Sequence, residues 1–293
     1  MRLEITRRAD LVVQAMVAPR HRDATVTTAL VVSSRERPAW RAVALPSEHG
    51  GWALTLEPAV LGLLVAPSKA GAALGLAALV AFVARTPLKV VLVDRWRHRW
   101  LPRSRTAARI ASVELLLLGV LVIAAGRWTG WSWLVPVGLA LPLVAIELWF
   151  DMHSRGRRLL PELCGAVGIS SVVAVVAVAG GDSARLAAGL WLVVAARAVA
   201  SIPFVRVQIS RLRHGAGSTT TSDAAQLVGV AIAGTAVLVE HRLAVGLGAV
   251  AVLALAQVVW VRRPPLAAKL LGLRQMALGL ALVALTAAGV LVT

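Results

Sequence analysis

From Gly51 onwards the chain alternates long apolar stretches with short polar turns. Nine such stretches stand out, at about 51–66, 72–93, 107–126, 131–150, 163–180, 185–205, 222–240, 242–261 and 272–292. Each is close to the ~20 residues a helix needs to cross hydrocarbon. A backbone in that environment must satisfy its own hydrogen bonds, so the stretches are predicted to be helices. Gly/Pro-rich or charged turns punctuate them, among them Ala66–Gly71, Gly126–Trp131, Gly180–Ser183 and Glu240–Arg242. Residues 1–45 have no equivalent. A short apolar run there, Leu11 to Ala18, is interrupted by Gln14 and flanked by Arg7, Arg8, Pro19 and Arg20. That is a poor signal-peptide core. The expected organisation is a mobile basic extension over 1–45 and a nine-helix membrane domain over 46–293.

Composition narrows the class. Apolar residues make up 58% of the 293 residues and charged residues 15%, with a mean hydropathy of +0.79. A water-soluble globule of this length needs far more polar surface. Disordered, coiled-coil and disulfide-stapled chains are excluded by the same figures, the last by the single cysteine, Cys164. An all-α polytopic membrane protein remains.

Net charge is +17, which in a soluble chain would point to nucleic acid. Here the distribution decides. Of the Lys and Arg residues, 24 precede span 1 or lie after spans 2, 4, 6 and 8, from Arg2 to Arg274. Only 4, Lys69, Arg127, Arg185 and Arg242, lie after the odd-numbered spans. The bias predicts a cytoplasmic N-terminus and an external C-terminus in the bacterial inner membrane. Anionic lipid then accounts for the charge. No nucleic acid and no soluble protein partner is implied.

Ionisable side chains inside a span are costly unless paired or hydrated, so each is a candidate for function. They are Glu57 in span 1, Arg85 and Lys89 in span 2, Glu114 in span 3, Glu147 in span 4 and Arg197 in span 6. Lys89 is close enough to Asp94 to snorkel to the cytoplasmic face. Arg85 and Arg197 lie roughly 13 Å deep at 1.5 Å per residue. For these two an inward, ligand-facing role and simple pairing with an acid both stand. The stretches Ala84–Asp94 and Ala196–Arg206 also share an Ala-Arg step followed by a proline. A proline inside a helix frees a carbonyl and bends the chain. That suits a span lining a polar cavity.

At the cytoplasmic ends, Asp94 with His98 and Glu147 with Asp151 stand four residues apart. Such pairs share a helix face, where they either hold a hard cation or balance the neighbouring arginines. Asp94, Glu147 and Asp151 are therefore the weak metal candidates. The run Pro46-Ser-Glu-His-Gly-Gly-Trp52 opens span 1. Pro46 and Ser47 are helix-start residues. Glu48 and His49 are either part of that capped start or an acid–imidazole pair at the mouth of a cytoplasmic cavity.

This run resembles the opening of the YwiC-like family of bacterial membrane proteins, with Pro58 and Gly62 following at similar spacing. Further resemblances are Ala84-Arg-Thr-Pro-Leu88, Ile146-Glu-Leu-Trp-Phe-Asp151, Leu160-Pro-Glu-Leu-Cys-Gly165 and Ser201-Ile-Pro-Phe-Val-Arg206. The likeness extends over about residues 38–293 and implies no settled activity. A more distant likeness is to the UbiA-type intramembrane prenyltransferases, implying a nine-helix bundle with a cytoplasm-facing cavity. That superfamily holds Mg²⁺–pyrophosphate on two aspartate-rich turns. Here the first corresponds to Asp94–His98, with one aspartate, and the second to Arg206–Arg211, with no acid. The fold carries over, and the chemistry does not.

Three readings follow. The first is a protein that binds a lipid-like, isoprenoid-like or otherwise anionic amphiphile, with Arg85, Arg197 and Arg206 as the anion clamp and Glu48 and His49 at its mouth. The second is a prenyltransferase-class enzyme whose non-standard Mg²⁺ site uses Asp94, Glu147 and Asp151. The third is a proton-coupled transporter using Glu57, Glu114 and His49. The cofactor is open, Mg²⁺ belonging to the second reading alone.

Overall fold

A computed structural model describes residues 49–99, 101–153, 155–156, 158–215 and 217–293, with side chains from Gly51 onwards. The extension over 1–45, Glu48 and the side chain of His49 lie outside the described residues.

Among the described residues every regular element is helical. The order is α1 (His49–Val65), α2 (Lys69–Trp96), α3 (Pro102–Thr129), α4 (Leu134–Met152), α5 (Leu159–Ser170), α6 (Val172–Ala179), α7 (Ala184–His214), α8 (Thr220–Val239), a 3₁₀ turn (His241–Leu243), α9 (Ala244–Trp260) and α10 (Ala268–Val292). Helices α5 and α6 form one span, and the 3₁₀ turn leads directly into α9. Eight spans are long and apolar enough to cross a membrane, and Gly51–Val65 is a shorter apolar helix. All nine expected stretches are thus helical.

Local chemistry sets the ends. Ser68 Oγ accepts from Gly71 N at 2.9 Å and Ser183 Oγ from Leu186 N at 3.2 Å, capping α2 and α7. Gly215, at φ 74°, closes α7 in the left-handed conformation that glycine adopts without strain. Several helices outrun their expected spans. Arg95 lies on the last turn of α2, and Arg206, Arg211 and Arg213 lie on α7. Long basic side chains reach the headgroups from a helix that continues past the hydrocarbon, so the helix need not stop where charge begins.

Burial divides the bundle. In the α5–α6 span 72% of the most apolar window is buried and in α7 67%, against 17% in α2, 11% in α3 and 17% in α4. Helices α6 and α7 are therefore the centre, and α2 to α4 lie at the lipid-facing periphery. The main core joins Leu61 of α1, Val173 of α6, Leu190 and Val193 of α7, Ala233 of α8, Val250 of α9 and Val283 of α10. Small residues bring the backbones together, as expected where lipid and side chain are equally apolar. A Cβ on Gly229 of α8 would lie 2.9 Å from Ala196 O and 3.0 Å from Ala200 Cβ on α7. Trp96, Trp128, Trp131 and Trp149 are exposed at or beside helix ends, where an amphipathic ring suits the membrane interface.

A buried ion pair and amide chain as candidate functional site

Arg197 and Glu57 meet in the interior. Arg197 stands near the middle of α7, roughly 20 Å from its first residue and 26 Å from its last. Its Nη2 lies 2.9 Å from Glu57 Oε1, with side-chain exposures of 3% and 1%. The same nitrogen donates to the carbonyl of Gln275 on α10 at 2.7 Å. Gly279, one turn beyond Gln275, leaves the space the pair occupies, since a Cβ there would run into Glu57 Oε1 and Arg197 Nη2.

Amides extend this centre. Gln226 Nε2 of α8 donates to Ala200 O at 2.9 Å and to Gln257 Oε1 of α9 at 3.1 Å. Gln257 Nε2 in turn reaches Gln275 Oε1 at 3.4 Å and Ser201 Oγ at 3.5 Å. All of these side chains are buried. Glu57, Arg197, Ser201, Gln226, Gln257 and Gln275 thus form one polar assembly drawn from five helices. It is under-satisfied. Both Glu57 oxygens, Arg197 Nε, Gln226 Oε1 and Gln275 Nε2 are buried without a well-formed hydrogen bond among the described residues. Buried polar atoms in native proteins usually have a partner, protein or water, so this concentration of them makes the assembly the candidate functional site.

The other candidates form separate clusters nearer the helix ends. Arg85 lies 2.7 Å from Glu147 Oε1 and 2.6 Å from Asp151 Oδ2, and Lys89 is 3.1 Å from Asp151 Oδ1. This ties α2 to α4. Asp94 accepts from Arg103 at 3.0 Å and from Ser104 at 2.6 Å, fastening the α2–α3 turn. Arg206 donates to Glu162 of α5 at 2.7 Å. The structure therefore joins Arg197 to Glu57, Arg85 to Glu147 and Asp151, and Arg206 to Glu162. Each arginine of the expected clamp has a carboxylate beside it. Among the described residues no group of three His, Cys, Asp or Glu side chains comes together to hold a metal ion. The carboxylates of the Mg²⁺ reading face cations, and they do not form a ligand set for one.

Glu114 takes a different setting. It lines a groove of about 320 Å³ between α2 and α3 with Leu76, Leu79, Val80, Val83 and Leu117.

With this geometry in place the chain can be set against known proteins. A family model described as YwiC-like protein matches residues 45–178. That segment is YwiC-like. It carries α1 to α6, hence Glu57, Arg85, Asp94, Glu147 and Asp151, while Arg197 and Arg206 lie beyond it. No curated protein and no solved structure matches the chain. The YwiC-like segment and the apolar helices that follow it make an integral, multi-pass membrane protein.

The glutamines escaped a search restricted to ionisable groups. Gln226, Gln257 and Gln275 each interrupt an apolar stretch, and an amide in hydrocarbon also needs partners. Their positions carried the signal; their convergence depends on which spans are neighbours.

Proposed function

We propose that this protein binds an anionic, lipid-like amphiphile from the cytoplasmic side, with Arg197 as the anion receptor and Glu57 as the internal carboxylate that occupies it at rest. The bundle is then a UbiA-like nine-helix scaffold in the bacterial inner membrane, its N-terminus cytoplasmic. The observation that carries this reading is the Glu57–Arg197 pair, closed at 2.9 Å yet leaving both carboxylate oxygens and Arg197 Nε short of hydrogen bonds. An ion pair so placed gives weak net stability, because removing two charges from water offsets their attraction. A carboxylate or phosphate headgroup offers the guanidinium two parallel hydrogen bonds instead of one contact. Arg85 and Arg206 serve the same amphiphile at the rim, and Glu48 and His49 guard the entrance.

The test is mass spectrometry of what co-purifies in mild detergent. Wild-type protein is expected to retain an acidic amphiphile that the neutral double variant Glu57→Gln/Arg197→Gln loses while remaining folded. Equal retention by both would remove Arg197 from the site. A proton-coupled transporter is the second reading, supported by the polar chain that leads to Glu57. Liposomes showing proton-dependent flux of the same amphiphile would favour it over simple binding.

Orientation is tested independently. A reporter fused after Thr293 is expected to read as external, and a cysteine replacing the exposed Arg105, next to Ser104, to react only with reagent supplied from the cytoplasm. An internal C-terminus would remove the nine-span topology.

A further inference from the structure

Below the amide chain, towards the end of α7 that bears Arg211, the interior between α7, α8, α9 and α10 changes character twice. On α7 one stripe runs Arg197, Ser201, Phe204, Gln208, at spacings of four, three and four residues that keep it on one helix face. Phe204 is fully buried and packs with Val261 beyond α9 and Leu271 of α10, at 0%, 0% and 1% exposure. This apolar layer lies about 10 Å from Arg197 along the helix. Past it the interior is polar again. Gln208 Nε2 donates to Trp260 O at 2.8 Å, and Gln208 Oε1 and Ser222 Oγ are buried with no partner among the described residues. Arg274 lies over the Trp260 ring at 4.3 Å and the Phe204 ring at 5.7 Å.

Two polar tiers on either side of one thin apolar layer need an explanation. If the inner tier were only structural glue, the bonds among its amides would use up their polar atoms, yet Gln226 Oε1 and Gln275 Nε2 are left over, as are Gln208 Oε1 and Ser222 Oγ in the outer tier. We propose that the two tiers belong to one hydrophilic path from the Arg211 end of the bundle to Arg197, closed by Phe204, Val261 and Leu271 as a plug and latched by Arg274. The inner tier is its binding site, for water and for a hydrogen-bonding headgroup with acceptor oxygens. Gln226, Gln257 and Gln275 read the headgroup's oxygens and hydroxyls, and Arg197 takes its charge. Phe204 is well suited to the plug. Its flat ring swings aside on two torsions, and in its closed position the ring face meets the Arg274 guanidinium. This deepens the reading of Arg197 as an anion receptor by supplying its route. It is measured without the amphiphile, so the failure of one leaves the other to be judged on its own readout.

The experiment is cysteine accessibility. Ser201→Cys in a Cys164→Ala background places one thiol in the inner tier. A membrane-impermeant cationic methanethiosulfonate is applied separately to each face of the membrane. With Phe204 in place the thiol is expected to react slowly, and only from the face that carries Ser104. Phe204→Ala should accelerate labelling from that face by about tenfold or more, because the space it leaves admits the reagent. Arg274→Gln leaves the core volume intact and should accelerate labelling by a smaller factor, which keeps the test available if Phe204→Ala folds poorly. Fast labelling with the plug intact, no acceleration in either variant, or faster reaction from the opposite face would each overturn the proposal.

Discussion

Arg197→Leu is expected to destabilise the protein by roughly 3–5 kcal/mol, because it leaves the Glu57 carboxylate with no cation beside it among the described residues. Glu57→Leu should be similarly harmful, stranding a guanidinium whose remaining hydrogen bond is to the Gln275 carbonyl. The double variant Glu57→Leu/Arg197→Leu is expected to recover most of that loss. Two leucines fill a similar volume and no charge is left without a partner. The measurement is a double-mutant cycle on unfolding in mixed micelles, and the coupling term is the quantity of interest. A coupling energy near zero would mean that the two side chains do not meet. A double variant that folds well and yet loses its co-purifying amphiphile would separate the functional role of the pair from any structural one.

Gly279→Ala is expected to destabilise the bundle by about 1–3 kcal/mol, the usual range for overpacking a filled interior. Its Cβ would occupy the space of Glu57 Oε1 and Arg197 Nη2, and both groups belong to the buried pair. Both are enclosed, at 1% and 3% exposure, so any shift has to be taken up inside the interior. Gly272→Ala on the same helix is the control, since its Cβ would meet nothing within 4 Å. Alanine is the better helix former, so the control should be neutral or stabilising by up to about 1 kcal/mol. Thermal unfolding in detergent decides the matter. If the two substitutions behave alike, the ion pair is not held against α10.

The nine spans were legible because hydrocarbon thickness imposes a length and a composition on every helix that crosses it. Their ends were less so. Arg206, Arg211 and Arg213 looked like a turn and are helix, since arginine is a good helix former and stops nothing. The division of span 5 at Ser171 was marked only by Gly168 and two serines within an otherwise apolar run. Within the site, Glu57 and Arg197 were each visible as a costly residue, but their partnership was not. That depends on α1 lying against α7, and periodicity says which face a helix buries, never against which neighbour. Gln257 was overlooked for a related reason: a neutral amide looks inexpensive until two others are found within its reach.

The YwiC-like segment ends before the partner of its own deepest acid begins. Glu57 enters the membrane with the first helix, and Arg197 follows 140 positions later in the chain. At about 5–20 residues per second the ribosome needs roughly 7–28 s to cover that interval. During synthesis the first helix is therefore made well before its cation, and an acid alone in hydrocarbon is held protonated and neutral until one arrives. The Glu57–Arg197 pair can form only once α7 is in the membrane, so this contact belongs to a late stage of assembly. Helices α2 to α4 supply the lipid-facing side and the α5–α6 span half of the centre, which α7 then completes.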